Sequence, residues 1–278
     1  MDIVRSVDDL RERVADWRGQ GLNVGLVPTM GALHSGHMAL AGRSVETMER
    51  TIASLFINPK QFGQGEDLES YPRNEQSDAE QLTNAGVDLL FTPTTEQMYP
   101  AGFATGVAVS GLGDILEGSS RPGFFDGVAT VVCKLLNQAA VDAAFFGEKD
   151  YQQLLVIRTM ARDLNIPTRI EGVATVREAD GLALSSRNVY LSTEERQGAP
   201  ALYKTICDVA TKIKAGAPLA EAEAWGSAQI VAAGFAGVDY LSVVDSETLE
   251  PYDDASRPGR VLVAAQLGRA RLIDNVAL

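Results

Sequence analysis

Short apolar runs alternate with amphipathic segments through the first 175 residues of the chain. The runs at 24–27, 51–57, 87–91, 142–146 and 169–173 have the length and composition of buried strands. Helical patterns lie at 6–18, from 36 to about 50, at 67–84 (a polar loop and then a helix), 127–139 and 151–165. The Gly-rich stretch 94–126 carries one candidate edge strand, at 106–110. This alternation predicts a parallel sheet with helices on both faces.

A different pattern begins after residue 175. Ala-rich helical stretches at 193–214 and 218–233 are followed by short apolar runs at 238–244, 260–265 and 271–276. The spacing of these runs suits hairpins, so they predict a small antiparallel sheet. We therefore expect an α/β fold of two domains: a doubly wound parallel sheet over 1–175 and a smaller α+β domain over 176–278.

Two histidines mark the step from the first apolar run to the next helix. Pro28 and Gly31 indicate a turn there, and Ser35 is the expected N-cap of the helix. His34 and His37 are the only histidines in the chain. At a helix start they lie beside unpaired backbone N–H groups, which favours a phosphate site. A zinc half-site and two structural histidines are the alternatives, and zinc is weakened because no Cys, Asp or Glu lies nearby.

Composition narrows the class of protein. The chain has 278 residues, 45% of them hydrophobic, and a net charge of −13. Such a charge disfavours binding to nucleic acid or to an anionic membrane, so a phosphate ligand needs a local cluster of positive groups. No apolar run reaches membrane-spanning length, and the charged first residues lack a secretory pattern, so we expect a cytoplasmic protein. Cys133 and Cys207 are expected to be reduced thiols.

Other donors recur where predicted strands end. Gly147 and Lys149 follow the run 142–146, and LSSRN at 184–188 offers two hydroxyls and a guanidinium, a set suited to phosphate. Taken alone, each motif is better explained as a solvated lysine or a surface turn. The amides of Asn58 and Gln61 also follow a strand end. Because ligands bind beyond the carboxyl ends of parallel strands, we expect the histidine turn, residues 58–61 and residues 147–150 to line one cleft, while LSSRN lies at the hinge between the two domains.

Seven motifs together resemble one family. They are PTMGALHSGH, NPKQF, YPR, LEGSSRPG, FFGEKDYQQL, DGLALSSRN and RLIDN, and they extend over almost the whole chain. The first resembles the HxGH signature of the nucleotidylyltransferase superfamily. The complete set closely resembles the pantothenate synthetase (pantoate–β-alanine ligase) family.

The resemblance implies a reaction in two steps. ATP and (R)-pantoate give pantoyl adenylate and pyrophosphate, and β-alanine then attacks the adenylate to give pantothenate and AMP. A carboxylate nucleophile needs no general base, which agrees with the absence of a third histidine. The resemblance also implies a Rossmann-like N-terminal domain, a C-terminal lid that keeps water from the adenylate, Mg²⁺ accompanying ATP, and a homodimer.

The resemblance further assigns roles to residues. His34 and His37 would contact the ATP phosphates, with His37 as proton donor or charge stabiliser, and Gln61 and Gln153 would hold pantoate, Gln61 also meeting β-alanine. The remaining expected ATP-binding residues are Met30, Gly31, Gly147, Lys149, Asp150, Val176, Leu184, Ser185, Ser186 and Arg187, of which Lys149, Ser185 and Arg187 would act on the phosphates.

The sequence departs from the family pattern in two places. Phe124 stands where the family usually has His, which removes a polar group beside Arg121 and is expected to loosen whatever Arg121 orients. Some relatives place carboxylates near Mg²⁺ after YPR. Ser77 fills one such position here, and only Asp78 and Gln81 resemble the ligands, so we expect Mg²⁺ to be held chiefly by ATP.

Two alternative functions are a nucleotidyltransferase that acts on another substrate and a non-catalytic nucleotide-binding protein.

Overall fold

The computed structural model describes residues 1–63, 68–69 and 71–278, which form two compact units. Unit 1 comprises Met1–Glu148 and Gln153–Ala174, and unit 2 comprises Lys149–Gln152 and Thr175–Leu278. Each unit has its own hydrophobic core. The short segment Lys149–Gln152 therefore belongs to unit 2, although unit 1 residues flank it in the sequence.

Unit 1 is a six-stranded parallel sheet with helices, in the strand order β1-β4-β3-β2-β5-β6. The strands are β1 (Asp2–Val4), β2 (Val24–Thr29), β3 (Arg50–Leu55), β4 (Leu89–Phe91), β5 (Ala143–Gly147) and β6 (Arg169–Val173). The helices are α1 (Val7–Gly19), α2 (Ser35–Thr47), α3 (Glu75–Asn84), α4 (Thr95–Met98), α5 (Glu117–Ser120), α6 (Phe124–Ala139) and α7 (Tyr151–Asp163), the last beginning in unit 2. The predicted parallel α/β sheet is confirmed.

Helix α1 shows how local sequence sets an element. The Ser6 side chain accepts a hydrogen bond from the backbone N–H of Asp9 at 3.1 Å, which caps the first turn. Leu10, Val14 and Trp17 recur at helical spacing and are all buried against the sheet core. The predicted helix and its cap are therefore confirmed.

Several predicted boundaries in unit 1 are wrong. Pro28 lies inside β2 rather than in a turn. On the side of β5, strand β2 is paired only at Gly25 and Leu26. Proline, which has no backbone N–H, therefore loses no hydrogen bond to β5 at position 28. Helix α2 ends at Thr47, and residue 50 already begins β3. The polar loop predicted from residue 67 starts outside the described residues.

The predicted edge strand at 106–110 is also wrong. The hydroxyl of Thr130 accepts from the backbone N–H of Val107 at 2.9 Å and donates to its carbonyl at 3.5 Å. A side chain therefore satisfies the groups that a neighbouring strand would have paired. Strand β1 was not predicted; it is only three residues long and pairs with β4 at the sheet edge.

Unit 2 packs helices on a three-stranded antiparallel sheet, as predicted. Its elements are α8 (Thr193–Gly198), α9 (Ala201–Lys214), α10 (Leu219–Ala232), β7 (Gly237–Asp245), β8 (Gly259–Leu267) and β9 (Ala270–Ala277). The single helix expected at 193–214 is two helices, because Pro200 cannot donate a backbone hydrogen bond and instead begins α9.

Two further expectations concern membranes and thiols. Within the described ranges, no helix is both long and apolar enough to cross a membrane. Cys133 and Cys207 are free thiols, and burial raises the pKa of Cys133. Both thiols therefore match the expected reduced state.

The contact between β2 and α2 yields a stability prediction. A Cβ atom on Gly25 would lie against Ser44 Oγ and 2.9 Å from Met48 Cγ, so Gly25→Ala forces α2 away from the sheet. We expect a loss of about 1–3 kcal/mol in the free energy of unfolding, measured by urea denaturation. The control is Gly42→Ala on α2, where a Cβ meets no atom within 4 Å and stability should hold or rise. Equal effects of the two substitutions would contradict close packing at Gly25.

Candidate active site

The turn between β2 and α2 is held by a buried carboxylate from another helix. Asp78 of α3 is 2% exposed, and its two oxygens accept from the backbone N–H groups of Ala32 and Leu33 at 3.1 and 2.9 Å. Gly31 and Ala32 have positive φ angles of 87° and 51°. The strained turn is therefore stabilised by hydrogen bonds to a charged acceptor, which are stronger than neutral ones.

The two histidines cap α2 reciprocally. Nδ1 of His34 accepts from the backbone N–H of Gly36 at 3.1 Å, and Nδ1 of His37 accepts from the N–H of His34 at 3.3 Å. His34 is therefore the N-cap, and the prediction of Ser35 was wrong because the imidazole supplies the capping acceptor. Since each Nδ1 accepts, each neutral ring carries its hydrogen on Nε2. The ring centroids are 4.1 Å apart, so the two imidazoles are in contact at the helix start.

A second turn at the end of β3 contacts the histidine turn. Residues Pro59–Gln61 form a short 3-10 helix after Asn58, which is 1% exposed. The Asn58 amide donates to Gln61 Oε1 and to the Gly127 carbonyl, both at 3.0 Å. The Gln61 amide in turn lies 2.9 Å from Met30 Sδ. The expected Met30 and Gln61 are therefore brought together, and the orientation of the Gln61 side chain is fixed.

Further residues hold this second turn in place. Tyr99 donates from its hydroxyl to Asn58 Oδ1 at 2.7 Å, and burial raises the pKa of Tyr99 to about 12, so it remains a donor. The Arg121 guanidinium donates to the Gln61 carbonyl at 3.3 Å and to the buried carboxylate of Glu117 at 3.3 Å. It also lies 3.8 Å from the centroid of the Phe124 ring. The structure thus places the Phe124 ring against the Arg121 guanidinium, and the loosening expected from the loss of His stays a prediction.

The remaining expected residues of unit 1 follow the topology. Gly147 ends β5, which neighbours β2 in the sheet, and a Cβ at Gly147 would meet no atom within 4 Å. The carboxyl ends of β3, β2 and β5 therefore carry the Gln61 turn, the histidine turn and Gly147 side by side. Gln153 lies half-buried in α7.

Unit 2 contains the expected cationic groups. Lys149 Nζ lies 3.8 Å from Asp150 Oδ2, and the carbonyl of Lys149 accepts from Asn275 Nδ2 at 2.9 Å. Ser185 caps the 3-10 helix Ser186–Tyr190 by accepting from the backbone N–H of Arg187 at 3.3 Å. Lys149 and Arg187, although distant in sequence, therefore belong to one compact unit.

A hairpin precedes the Ser185 cap. The backbone N–H of Leu184 donates to the Val176 carbonyl at 3.0 Å, so part of the Val176 backbone is already paired. Arg177 forms a two-pronged ion pair with buried Asp274 at 2.6 and 2.9 Å, and its guanidinium lies 3.7 Å from the Tyr203 ring centroid. These contacts fix the hairpin, and with it the start of Leu184–Arg187, on strand β9.

Sequence reasoning missed three kinds of supporting residue. Asp78 was considered only as a metal ligand, and Asn275 only as part of a motif. Glu117 and Arg121 are four residues apart within LEGSSRPG, the spacing of a helical ion pair, so that partnership could have been found. The partners of Asp78 and Asn275 lie 46 and 126 residues away, and no local pattern identifies such contacts.

The expected Mg²⁺ ligands do not fit a metal site. Both Asp78 oxygens are used by backbone N–H groups in a buried position, and Gln81 on the same helix offers only a neutral amide. A cation bound there would compete with the hydrogen bonds that hold the turn. In the part of the chain that the structure describes, no three His, Cys, Asp or Glu side chains are grouped to hold a metal ion.

Comparisons with known proteins agree over the whole chain. The family model described as Pantoate-beta-alanine ligase matches residues 2–277. The pantothenate synthetase of Paramagnetospirillum magneticum is 54% identical, with 99% of this chain and 97% of that protein covered, and that of Caulobacter vibrioides is 52% identical, with 99% and 98% covered.

Solved structures give the same result. The crystal structure of the Thermus thermophilus pantothenate synthetase is similar with a TM-score of 0.92 and 48% identity, covering 99% of both chains. The Francisella tularensis pantoate-beta-alanine ligase, complexed with beta-gamma ATP and beta-alanine, is similar with a TM-score of 0.84 and 32% identity, covering 99% of this chain and 97% of that one.

The role of Asp78 gives a testable prediction. Asp78→Asn replaces one acceptor by an NH₂ group that faces a backbone N–H, so the free energy of unfolding should fall by about 1–3 kcal/mol. Urea denaturation with and without Mg²⁺ measures it, and the loss should be the same in both. Glu80→Gln on the exposed face of α3 is the matched control and should change little. A loss of stability seen only with Mg²⁺ present would instead make Asp78 a metal ligand.

Proposed function

Because the chain belongs to the pantoate–β-alanine ligase family, we propose that it joins (R)-pantoate to β-alanine at the expense of ATP. The reaction passes through pantoyl adenylate and releases pyrophosphate and AMP. The structural observation that carries the proposal is the pair of capping histidines in the turn after β2, whose residue Met30 contacts Gln61 from the turn after β3. This arrangement offers polar donors at the edge of the sheet where α/β proteins bind nucleotides.

The histidines supply neutral donors to the adenylation step. Their Nδ1 atoms serve the backbone, so Nε2–H is the group of each ring that would reach a phosphate oxygen. Attack of the pantoate carboxylate on the α-phosphorus places charge on the phosphate oxygens and on the departing pyrophosphate. Donors that are already oriented stabilise this charge without reorganisation, and we assign that role to His34 and His37, with His37 acting in the transition state.

The Gln61 side chain is suited to hold the acyl substrates. Its carbonyl oxygen is occupied by Asn58, and the amide group is directed toward Met30. A fixed NH₂ donor can orient a carboxylate or hydroxyl for in-line attack, which is the main contribution that positioning makes to such a reaction. We therefore propose that Gln61, with Gln153, binds pantoate, and that Gln61 also contacts β-alanine.

Charged donors for the polyphosphate come from unit 2. We propose that Lys149, Ser185, Ser186 and Arg187 bind ATP phosphates, since an ammonium and a guanidinium with two hydroxyls suit several phosphate oxygens at once. For the adenosine, we propose Gly147, Asp150 and the backbone of Val176, with Met30, Gly31 and Leu184 lining the nucleotide.

Mg²⁺ enters the proposal as the ATP complex. The cation neutralises phosphate charge and retains water ligands readily, so it needs no dedicated protein cage. The homodimer, the cytoplasmic location and the role of residues 176–278 as a lid over the adenylate stay predictions.

The direct test follows pyrophosphate with purified protein and MgATP. Release should require pantoate, and later addition of β-alanine should give AMP and pantothenate in equal amounts. The order of addition separates adenylation from ligation. Pyrophosphate release without pantoate, or a stable nucleotidylated product, would instead indicate another nucleotidyltransferase, and ATP binding without release would indicate a binding protein.

His37 can be tested by two matched substitutions. His37→Ala removes both the cap and the Nε2 donor, whereas His37→Gln keeps an acceptor for the N–H of His34, as in an ordinary capping box. Pyrophosphate release should fall about 10²-fold in both, because neither presents Nε2–H. Urea denaturation should show lower stability by about 1 kcal/mol in His37→Ala only. A wild-type rate in His37→Gln would remove His37 from the chemistry.

A further inference from the structure

The segment Lys149–Gln152 is tied to unit 2 by a buried amide. Asn275 of β9 is 4% exposed, and its Nδ2 atom donates to the carbonyl oxygen of Lys149 at 2.9 Å. Water has little access to Asn275. If its hydrogen bond to Lys149 were removed by a substitution, solvent would therefore not replace it.

The orientation of this amide is fixed by its other side. Arg260 of β8 donates from a guanidinium nitrogen to Asn275 Oδ1, which therefore has to be the acceptor. The NH₂ group consequently faces Lys149, since Arg260 has only donors. Arg260 donates to the amide oxygen of Asn275, and the amide nitrogen of Asn275 donates to the Lys149 carbonyl. A flipped amide, with these two atoms exchanged, would lose both hydrogen bonds.

A second set of contacts holds Tyr151, two residues after Lys149. The Arg260 guanidinium also lies 3.7 Å from the ring centroid of Tyr151, whose hydroxyl donates to the Ser246 carbonyl at 2.9 Å. The backbone of the segment is therefore fixed on both sides of Asp150.

Asp274, the residue before Asn275 in β9, holds the hairpin through Arg177. Two consecutive residues of β9 thus support both phosphate-binding segments of unit 2.

We propose that Asn275 is a positioning residue for Lys149. By holding the Lys149 carbonyl on β9, it keeps the lysine in a constant position relative to Ser185–Arg187, so that both cations are presented together to one polyphosphate. The lysine side chain is flexible, so the position of its ammonium group depends on the position of the Lys149 backbone. A displacement of a substrate-binding group by about 1 Å can lower a reaction rate by up to about 10²-fold. This inference rests on the proposed role of Lys149 in binding ATP phosphates.

The test uses an isosteric substitution. Asn275→Asp retains the acceptor for Arg260 but places an oxygen against the Lys149 carbonyl, which repels it. With full-length protein, kcat/KM for ATP in pantoate-dependent pyrophosphate release should fall about 10-fold, while KM for β-alanine should not change. The control is the opposite exchange in the same sheet, Asp239→Asn. It removes the ion pair to Arg271 but leaves the contacts of the segment Lys149–Gln152 intact, so activity should be preserved.

Dependence on Lys149 is measured by a double-mutant cycle. Lys149→Ala alone should strongly reduce kcat/KM for ATP, and adding Asn275→Asp to it should cause less than about a 2-fold further loss. Losses that multiply, or an Asn275→Asp enzyme equal to wild type, would overturn the positioning role. A fully active Lys149→Ala variant would instead refute the assignment of Lys149 in the proposed function.

A second variant guards against failure to fold. Tyr151→Phe deletes only the hydroxyl bonded to Ser246 and keeps the ring under Arg260, so the fold should be retained. If the backbone of the segment places Lys149, this variant should also lower kcat/KM for ATP, about 3-fold, and the loss should disappear in the Lys149→Ala background. An unchanged kcat/KM in Tyr151→Phe would count against the inference.

Discussion

The buried carboxylate of Asp78 is the constraint on which the histidine turn depends. A carboxylate taken out of water is costly unless it is hydrogen-bonded, and here both oxygens are bonded to the backbone of the turn. The same bonds offset the strain of Ala32, a residue with a side chain at positive φ. Because α2 begins three residues after Ala32, the position of α3 determines where His34 presents its ring. The geometry of the histidine turn is thus set by a carboxylate on a different helix.

The donors of the two units differ in charge. In unit 1 the histidines cap a helix with Nδ1 and Gln61 is a neutral amide, and the role proposed for these groups is to orient substrates through hydrogen bonds. Lys149 and Arg187 belong to unit 2. In a chain of net charge −13, binding of a polyphosphate needs cations concentrated locally. Strand β9 contacts the segments that carry these two cations through adjacent residues, Asp274 and Asn275.

The parallel sheet could be predicted because strand and helix periodicities are local properties of the sequence. The motifs, taken together, identified the family for the same reason. N-cap propensity favours hydroxyl side chains, so the sequence predicts Ser35 as the N-cap of α2. In the structure the N-cap is His34, whose imidazole accepts from the backbone N–H of Gly36. The inclusion of Lys149 in unit 2 could not be predicted, because it depends on Asn275, 126 residues away. Long-range polar contacts leave no periodic trace in a sequence.

Phe124 shows how a substitution that looks like a loss can preserve a site. Removal of an imidazole takes away one hydrogen-bonding group near Arg121, but the phenyl ring presents a face to the guanidinium at 3.8 Å. The Arg121 side chain is only 15% exposed, and a cation–π contact is strengthened by such desolvation, up to about 2 kcal/mol. With Glu117 on its other nitrogen, Arg121 remains directed at the Gln61 carbonyl. In this chain the Phe124 ring and Glu117 therefore both hold the guanidinium that donates to the Gln61 carbonyl.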